Sequence, residues 1–273
     1  MADRTNYIPD FIVIGAMKAG TSTLFRDFFV NPEIERTRGK EVNFLLKDYS
    51  FEKINQLYKE QYVNYDLLKC DVSPKYSQFH NYNGVPERLF RFNPKAKIIY
   101  ITRDPIERII SHLHHNLLRD RFSAQDVNRE VLENKDYVLC SNYQLQIGKF
   151  LEYFPKEQIL VLMLEEIKSD PTTFCKRLNT FLGTHSITHT GKRFNVSENR
   201  YKIVGHDVAH RWIKSGPLRR LYHAFWYMIN LNVPKPELTG ETKEVLRKTL
   251  LEPTKAFADS FSLDMSHWKN FAK

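Results

Sequence analysis

The sequence predicts an α/β domain of three layers, α/β/α, around a central parallel sheet, on three observations. The run Phe11-Ile12-Val13-Ile14 is apolar, β-branched and too short for a helix, as a buried strand is. A glycine-bounded loop, Gly15 to Gly20, then leads straight into the apolar-periodic stretch Thr21, Leu24, Phe25, Phe28 and Phe29. A second buried run, Lys95 to Thr102, also passes directly into a helix, and this alternation of strand and helix builds parallel sheets.

The chain of 273 residues is long enough for one large core, and no Gly/Ser- or Pro-rich linker divides it. A single domain over 1–273 is therefore expected, with 206–273 a helical part packed on it. After the first helix Asn31-Pro32 breaks the pattern, and a polar loop is read through Arg38-Gly39-Lys40-Glu41 to Phe44. Tyr49 to Tyr62 carries Phe51, Ile54, Leu57 and Tyr58 at helical spacing. Leu67 to Val72 reads as a strand running into Ser73-Pro74-Lys75-Tyr76, and Val85 to Phe92 as a short helix. Pro105 suits the first position of the helix Ile106 to Leu118. Ser141 to Tyr153 is amphipathic, Gln158 to Leu164 a strand, and Thr172 to Leu182 a helix ended by Gly183. Lys192 to Lys202 is polar and basic without periodicity. Aromatic and basic residues interleave from His210 to Asn230, which fits an acceptor cleft, a core-completing helix or a homodimer face equally well. Glu241 to Phe261 is a final amphipathic helix.

A strand, a glycine-bounded loop and a helix start together form an anion site, because unpaired N–H groups and the positive end of the helix dipole point into the loop. In the nucleotide-binding pattern G-x-x-x-x-G-K-[ST], Gly15, Gly20 and Ser22 fall in register, but Thr21 stands where the phosphate-gripping lysine belongs. The loop's lysine is Lys18, three residues earlier. Such a loop suits a shorter anion met by Lys18, hydroxyls and backbone, without metal; the bland alternative is an ordinary strand–turn–helix corner. Lys and Arg number 41 against 32 Asp and Glu, an excess that favours an anionic ligand, while no nucleic-acid motif is present. His112, His114 and His115 lack metal-ligand spacing and read as packing or rim residues. Three scattered cysteines, a polar start without a signal-like apolar region and no run of ~20 apolar residues predict a soluble protein of a reducing, cytoplasmic compartment with no membrane partner.

The stretch Gly15-Ala16-Met17-Lys18-Ala19-Gly20-Thr21-Ser22-Thr23-Leu24 resembles the 5′-phosphosulfate loop of the sulfotransferases that use 3′-phosphoadenosine 5′-phosphosulfate (PAPS), nearest their carbohydrate, heparan-sulfate-type and bacterial branch. The resemblance implies a P-loop-NTPase-like fold and sulfuryl transfer to an acceptor hydroxyl, a saccharide before a small-molecule alcohol or phenol. It assigns the phosphosulfate to Lys18, Ala19, Gly20, Thr21, Ser22 and Thr23, with Lys18 also catalytic. Arg103-Asp104-Pro105-Ile106-Glu107-Arg108-Ile109-Ile110-Ser111 is similar to the family's R-D-P-x-x-R-x-x-S, in which Arg103 and Ser111 would bind the 3′-phosphate. An arginine at a strand end has the fork that grips phosphate, and a mere Arg103–Asp104 surface ion pair at a helix start is the bland alternative.

Lys40, Glu41 and Phe44 match the family's K-E-x-x-F-F, which makes Glu41 the catalytic base; Leu45 replaces the second Phe, and Asn43 stands where many relatives have His. A lysine beside the base would weaken it, so Lys40 is expected to point at the donor. Heparan-type members carry a catalytic lysine directly before the Ser/Thr of S/T-P-x-Y, where this chain has Val72. Asp71 and Ser73 remain candidates for holding acceptor or catalytic residues. Asn195, Ser197 and Tyr201 match a loop that covers the donor's adenine and 3′-phosphate, with Asn199 in place of its glycine. Glu165 lies in a block read as scaffold, and Asp264 to Trp268 matches the family's closing D-x-S-x-W. Two other functions stay open: a nucleotide kinase with an altered loop, and a nucleotide-binding scaffold without catalysis.

Overall fold

The computed structural model describes residues 6–191, 216–229 and 233–272. Five strands form one sheet in the order β2-β3-β1-β4-β5, and every neighbouring pair is parallel. They are β1 (Phe11–Gly15), β2 (Ile34–Arg36), β3 (Leu68–Val72), β4 (Lys97–Thr102) and β5 (Ile159–Met163). The helices between them are α1 (Thr21–Phe29), α2 (Phe51–Lys59), α3 (Val85–Phe92), α4 (Pro105–Leu117), α5 (Val127–Glu133), α6 (Asp136–Leu139) and α7 (Tyr143–Leu151), and α8 (Leu164–Ser169) and α9 (Pro171–Leu182) follow β5. Two further helices follow, Gly216–Ile229 and Gly240–Phe261.

The period of two along each strand divides the core. Ile12 and Ile14 of β1, with Ile98 and Tyr100 of β4, face a layer made by α2, α3, α4, α7 and the helix Gly240–Phe261. Phe11 and Val13, with Ile99 and Ile101, face the opposite layer, which α1 and α9 cover through Leu24, Phe28, Phe174 and Leu178. These are the predicted three layers.

Sequence boundaries moved where local hydrogen bonds end an element. Ser50 Oγ accepts the Lys53 N–H and starts α2 two residues inside the predicted stretch. Asn142 Oδ1 likewise accepts the Leu145 N–H at the start of α7. The sequence shows only a polar loop where β2 lies, because three residues are too few to show a period; its pairing of Ile34 with Leu68 of β3 makes it a strand. Arg36 then lies over Phe25 at 4.2 Å and Phe29 at 4.4 Å, shielding the edge. α5, α6 and α8 were also unread, each a turn or two long.

The C-terminal stretch closes the first layer. Phe257 packs on Tyr143 with ring centroids 5.5 Å apart, and Trp268 is fully buried against the same tyrosine. The Trp268 indole N–H donates to Glu165 Oε2 at 3.2 Å, while the Asn270 N–H donates to Asp104 Oδ2 at 2.9 Å. The tail is thus fastened to the turn after β4. Of the aromatic stretch read from His210, the described part is a helix whose Leu218, Leu221 and Phe225 are exposed. The three cysteines are buried and unpaired, and among the described residues no helix is long and apolar enough to cross a membrane.

Trp268→Ala removes a buried ring and the donor to Glu165. Its expected cost is about 3–5 kcal/mol, read as a lower urea midpoint at unchanged m-value.

Candidate active site

All five strands point the same way, so the loops after β1, β2, β3 and β4 leave one edge of the sheet, where ligands of open α/β folds sit. Backbone bonds tie these loops together. The Ala16 N–H donates to Ile101 O at 2.6 Å, the Ser73 N–H to Val13 O at 3.1 Å, and the Glu41 N–H to Val72 O at 3.0 Å.

The loop after β1 turns on its glycines. Gly20 stands before α1 at φ 103, a left-handed conformation, and a Cβ there would come within 2.6 Å of Leu164 Cδ1. A Cβ on Gly15 would reach Ser77 Oγ and lie 2.9 Å from the Tyr100 ring. No side chain caps α1, and while the Thr23 N–H turns back to Gly20 O at 2.9 Å, the N–H groups of Thr21 and Ser22 point out of the helix start, where an external acceptor would sit. Lys18 also has a left-handed backbone, at φ 72, which carries it across the turn between the two glycines.

Arg108 underlies this loop and was not assigned a role in the sequence. It is fully buried. Its guanidinium donates to Met17 O at 3.4 Å, to Tyr137 O at 2.8 Å and to Ser141 Oγ, joining the loop after β1 to α6 and the start of α7. The only sequence signal was its place midway in R-D-P-x-x-R-x-x-S. One turn further, His112 is buried edge-on against Tyr137 at 4.7 Å. Burial lowers its pKa to about 2, with Arg108, Lys18 and Arg121 adding repulsion. His114 Nε2 bonds Val233 O at 2.8 Å, a packing contact as expected.

Arg103 ends β4 with a mostly buried side chain. It does not pair with Asp104, which instead caps α4 by accepting the Ile106 and Glu107 N–H groups at 3.0 and 3.2 Å. Arg103 Nη2 lies 3.2 Å from Glu107 Oε2, and Lys269 Nζ lies 2.8 Å from Glu107 Oε1. Burial alone would raise the Glu107 carboxyl, but these cations hold it below its ordinary value. Two cations thus share one carboxylate, and among the described residues Arg103 meets it through Nη2 alone. Ser111 is half-buried two turns along α4.

On the other side of the Gly15–Gly20 loop, Glu41 and Asn43 both adopt left-handed backbones, at φ 64 and 57. Lys40 forms an ion pair with Glu41 rather than turning toward the loop, because Glu41 is its adjacent counter-charge. Below them Asp71 is fully buried and accepts hydrogen bonds from Ser73 Oγ at 2.7 Å, Tyr58 Oη at 2.8 Å and Tyr76 Oη at 2.8 Å. Burial raises the Asp71 carboxyl and those hydroxyls partly offset it. Val72 points to the opposite face, among Val13 and Leu24. Asn195, Ser197 and Tyr201 lie outside the described residues.

A family profile described as Sulfotransferase domain matches residues 8–206. The bifunctional heparan sulfate N-deacetylase/N-sulfotransferase 4 of Mus musculus is 26% identical over 200 residues, which cover 65% of this chain and 22% of that protein. The heparan sulfate glucosamine 3-O-sulfotransferase 5 of the same organism is 24% identical over 213 residues, covering 73% of this chain and 60% of its own length. The chain therefore spans less than two thirds of either relative. Among solved structures, a sulfotransferase from Alicyclobacillus acidocaldarius superposes with a TM-score of 0.67 at 20% identity, over 96% of this chain and 98% of that one. At that identity the likeness is one of fold.

The depressed pKa of His112 has a consequence for stability. The unfolded chain protonates this imidazole below about pH 6.5, whereas the folded chain keeps it neutral to about 2. Its contribution is whole above pH 6.5 and falls by about 1.4 kcal/mol per unit as pH drops further. Replacing it, as His112→Phe, is expected to flatten the urea stability curve between about pH 6 and 4 by that slope.

Proposed function

The chain belongs to the sulfotransferase-domain family, and from that premise we propose that it moves a sulfuryl group from PAPS to an acceptor hydroxyl, with a saccharide as the favoured acceptor class. One observation carries the reading: the uncapped start of α1, reached through a loop whose glycine positions leave no room for a Cβ, shares a sheet edge with Arg103. That donor set suits an elongated anion charged at both ends. PAPS, when bound, supplies the sulfuryl group and a bisphosphate leaving group.

The protein's part is to position and to neutralise. Lys18, Thr21, Ser22, Thr23 and the backbone at Ala19 and Gly20 hold the phosphosulfate end. Lys18 offsets charge that builds on the bridging oxygen. Arg103 and Ser111 take the 3′-phosphate, while Lys269 keeps Glu107 from claiming the whole guanidinium. Glu41 accepts the proton of the acceptor hydroxyl as its oxygen bonds to sulfur and the bond to the 5′-phosphate breaks. The Lys40–Glu41 pair is a partly exposed one of small worth, so Lys40 is free to exchange Glu41 for the donor's sulfonate. Asn195, Ser197 and Tyr201 belong to the same reading as nucleotide-binding residues. The free cysteines favour a cytoplasmic setting.

The test is labelled PAPS offered with a panel of saccharides, small alcohols and phenols, beside an ATP–Mg²⁺ control. Labelled sulfated product is expected. Mg²⁺-dependent ATP turnover would point to a kinase, and binding of adenosine 3′,5′-bisphosphate with no product from any acceptor would point to a scaffold. Lys18→Ala is expected to abolish turnover. Glu41→Gln should lower kcat by on the order of 10²–10⁴ with the bisphosphate affinity unchanged, measured by initial rates and calorimetry.

A further inference from the structure

We propose that Asp71 is a positioning residue for Glu41, acting through the hydroxyls of Ser73 and Tyr76. This rests on the reading of Glu41 as the base.

Three hydroxyls converge on the one carboxylate, and two of them do a second thing. Ser73 Oγ accepts the Asn43 N–H at 3.3 Å, and Tyr76 Oη accepts the Leu45 N–H at 3.3 Å. A hydroxyl has one proton and two lone pairs. With each proton committed to Asp71, only lone pairs are left to face the loop, so the carboxylate sets the direction in which both hydroxyls can bond. An apolar residue could fill this space at less desolvation cost, but could not orient them.

The loop needs such a hold. Glu41 and Asn43 both sit in the left-handed region, which asparagine tolerates but which glutamate seldom occupies unless its surroundings hold it there. Amide bonds at Glu41, Asn43 and Leu45, to Val72 O, Ser73 Oγ and Tyr76 Oη, pin alternate residues of the segment. Burial raises the Asp71 carboxyl and the charge of Glu41 adds to that rise, as its proximity requires. The chain also contains its own control. Tyr58 donates to the same Asp71 Oδ2 at the same 2.8 Å as Tyr76 and lies at the 3.5 Å limit from the Tyr76 hydroxyl, yet among the described residues its own hydroxyl makes no bond to the loop amides.

The experiment compares Tyr76→Phe with Tyr58→Phe in the full chain, beside Glu41→Gln. Turnover is read as adenosine 3′,5′-bisphosphate released from PAPS across the acceptor panel, donor affinity by calorimetry with that bisphosphate, and loop order by hydrogen exchange at residues 43–45. Tyr76→Phe is expected to lower kcat by roughly tenfold to a hundredfold, with donor affinity within about twofold, and to speed exchange at Leu45. Tyr58→Phe is expected to hold kcat within about twofold and leave that exchange unchanged, although it loses a bond to the same carboxylate. Equal effects of the two phenylalanines, with Glu41→Gln inactive, would overturn the positioning role alone. Full turnover in Glu41→Gln would overturn the base assignment, and the positioning role with it.

Discussion

The site depends on hydrogen bonds that continue the sheet past the ends of its strands. Ser73 N–H to Val13 O, Glu41 N–H to Val72 O, Thr37 N–H to Cys70 O and Ala16 N–H to Ile101 O each place a residue beyond a strand in register with the neighbouring strand. A loop that begins this way has its first residues fixed by the sheet, and the sheet is fixed by two apolar layers. Because all strands are parallel, four such loops start from one edge. Precision there follows from burial elsewhere: the same β-branched residues that fill the core set where the charged ones emerge.

Cationic side chains gather at two places along this edge. Arg108 is wholly buried, and its bonds go to two carbonyls and a hydroxyl, acceptors that satisfy its N–H groups without neutralising them. Removing a guanidinium from water costs several kcal/mol, so such a placement is sustained only by full hydrogen bonding. Its field reaches the loop after β1 and joins those of Lys18 and Arg121 at His112. At the other end, Arg103 and Lys269 share Glu107. Arg108 beneath the loop after β1 and the Arg103–Lys269 pair around Glu107 thus put cationic groups at two places along this edge.

Much of this was legible in the sequence because it is local. The short run before Gly15, the loop lysine and the Ser/Thr start of α1 lie within a dozen residues, and their chemistry shows in their order. Pro105 after Asp104 marked the start of α4 for the same reason. What stayed hidden depends on partners far along the chain. β2 is a strand because Leu68 lies beside Ile34, and no feature of three residues announces that. Arg108 and Asp71 were visible as letters of motifs, but their roles rest on contacts with Met17, Tyr137 and Tyr58 that spacing does not reveal. The Lys40–Glu41 pair was likewise not visible in the motif, because it depends on which way two neighbouring side chains turn, and an adjacent carboxylate is the nearest counter-charge.

The departure at Val72 follows from the same alternation that builds the core. Asp71 faces the layer of Tyr58, so Val72 must face the layer of α1, where it packs fully buried with Val13 and Leu24. An ammonium there would have to shed its hydration among aliphatic groups or lose its proton, and either outcome defeats a cationic role. Along this strand, therefore, the position before Ser73 serves packing, and positive charge at this edge comes from loops rather than from β3. Lys18, on the turn between Gly15 and Gly20, and Lys40, beside Glu41, are the lysines so placed. The valine marks a division of labour in which the strand supplies a buried carboxylate on one face and core volume on the other, and leaves the cations to its neighbours.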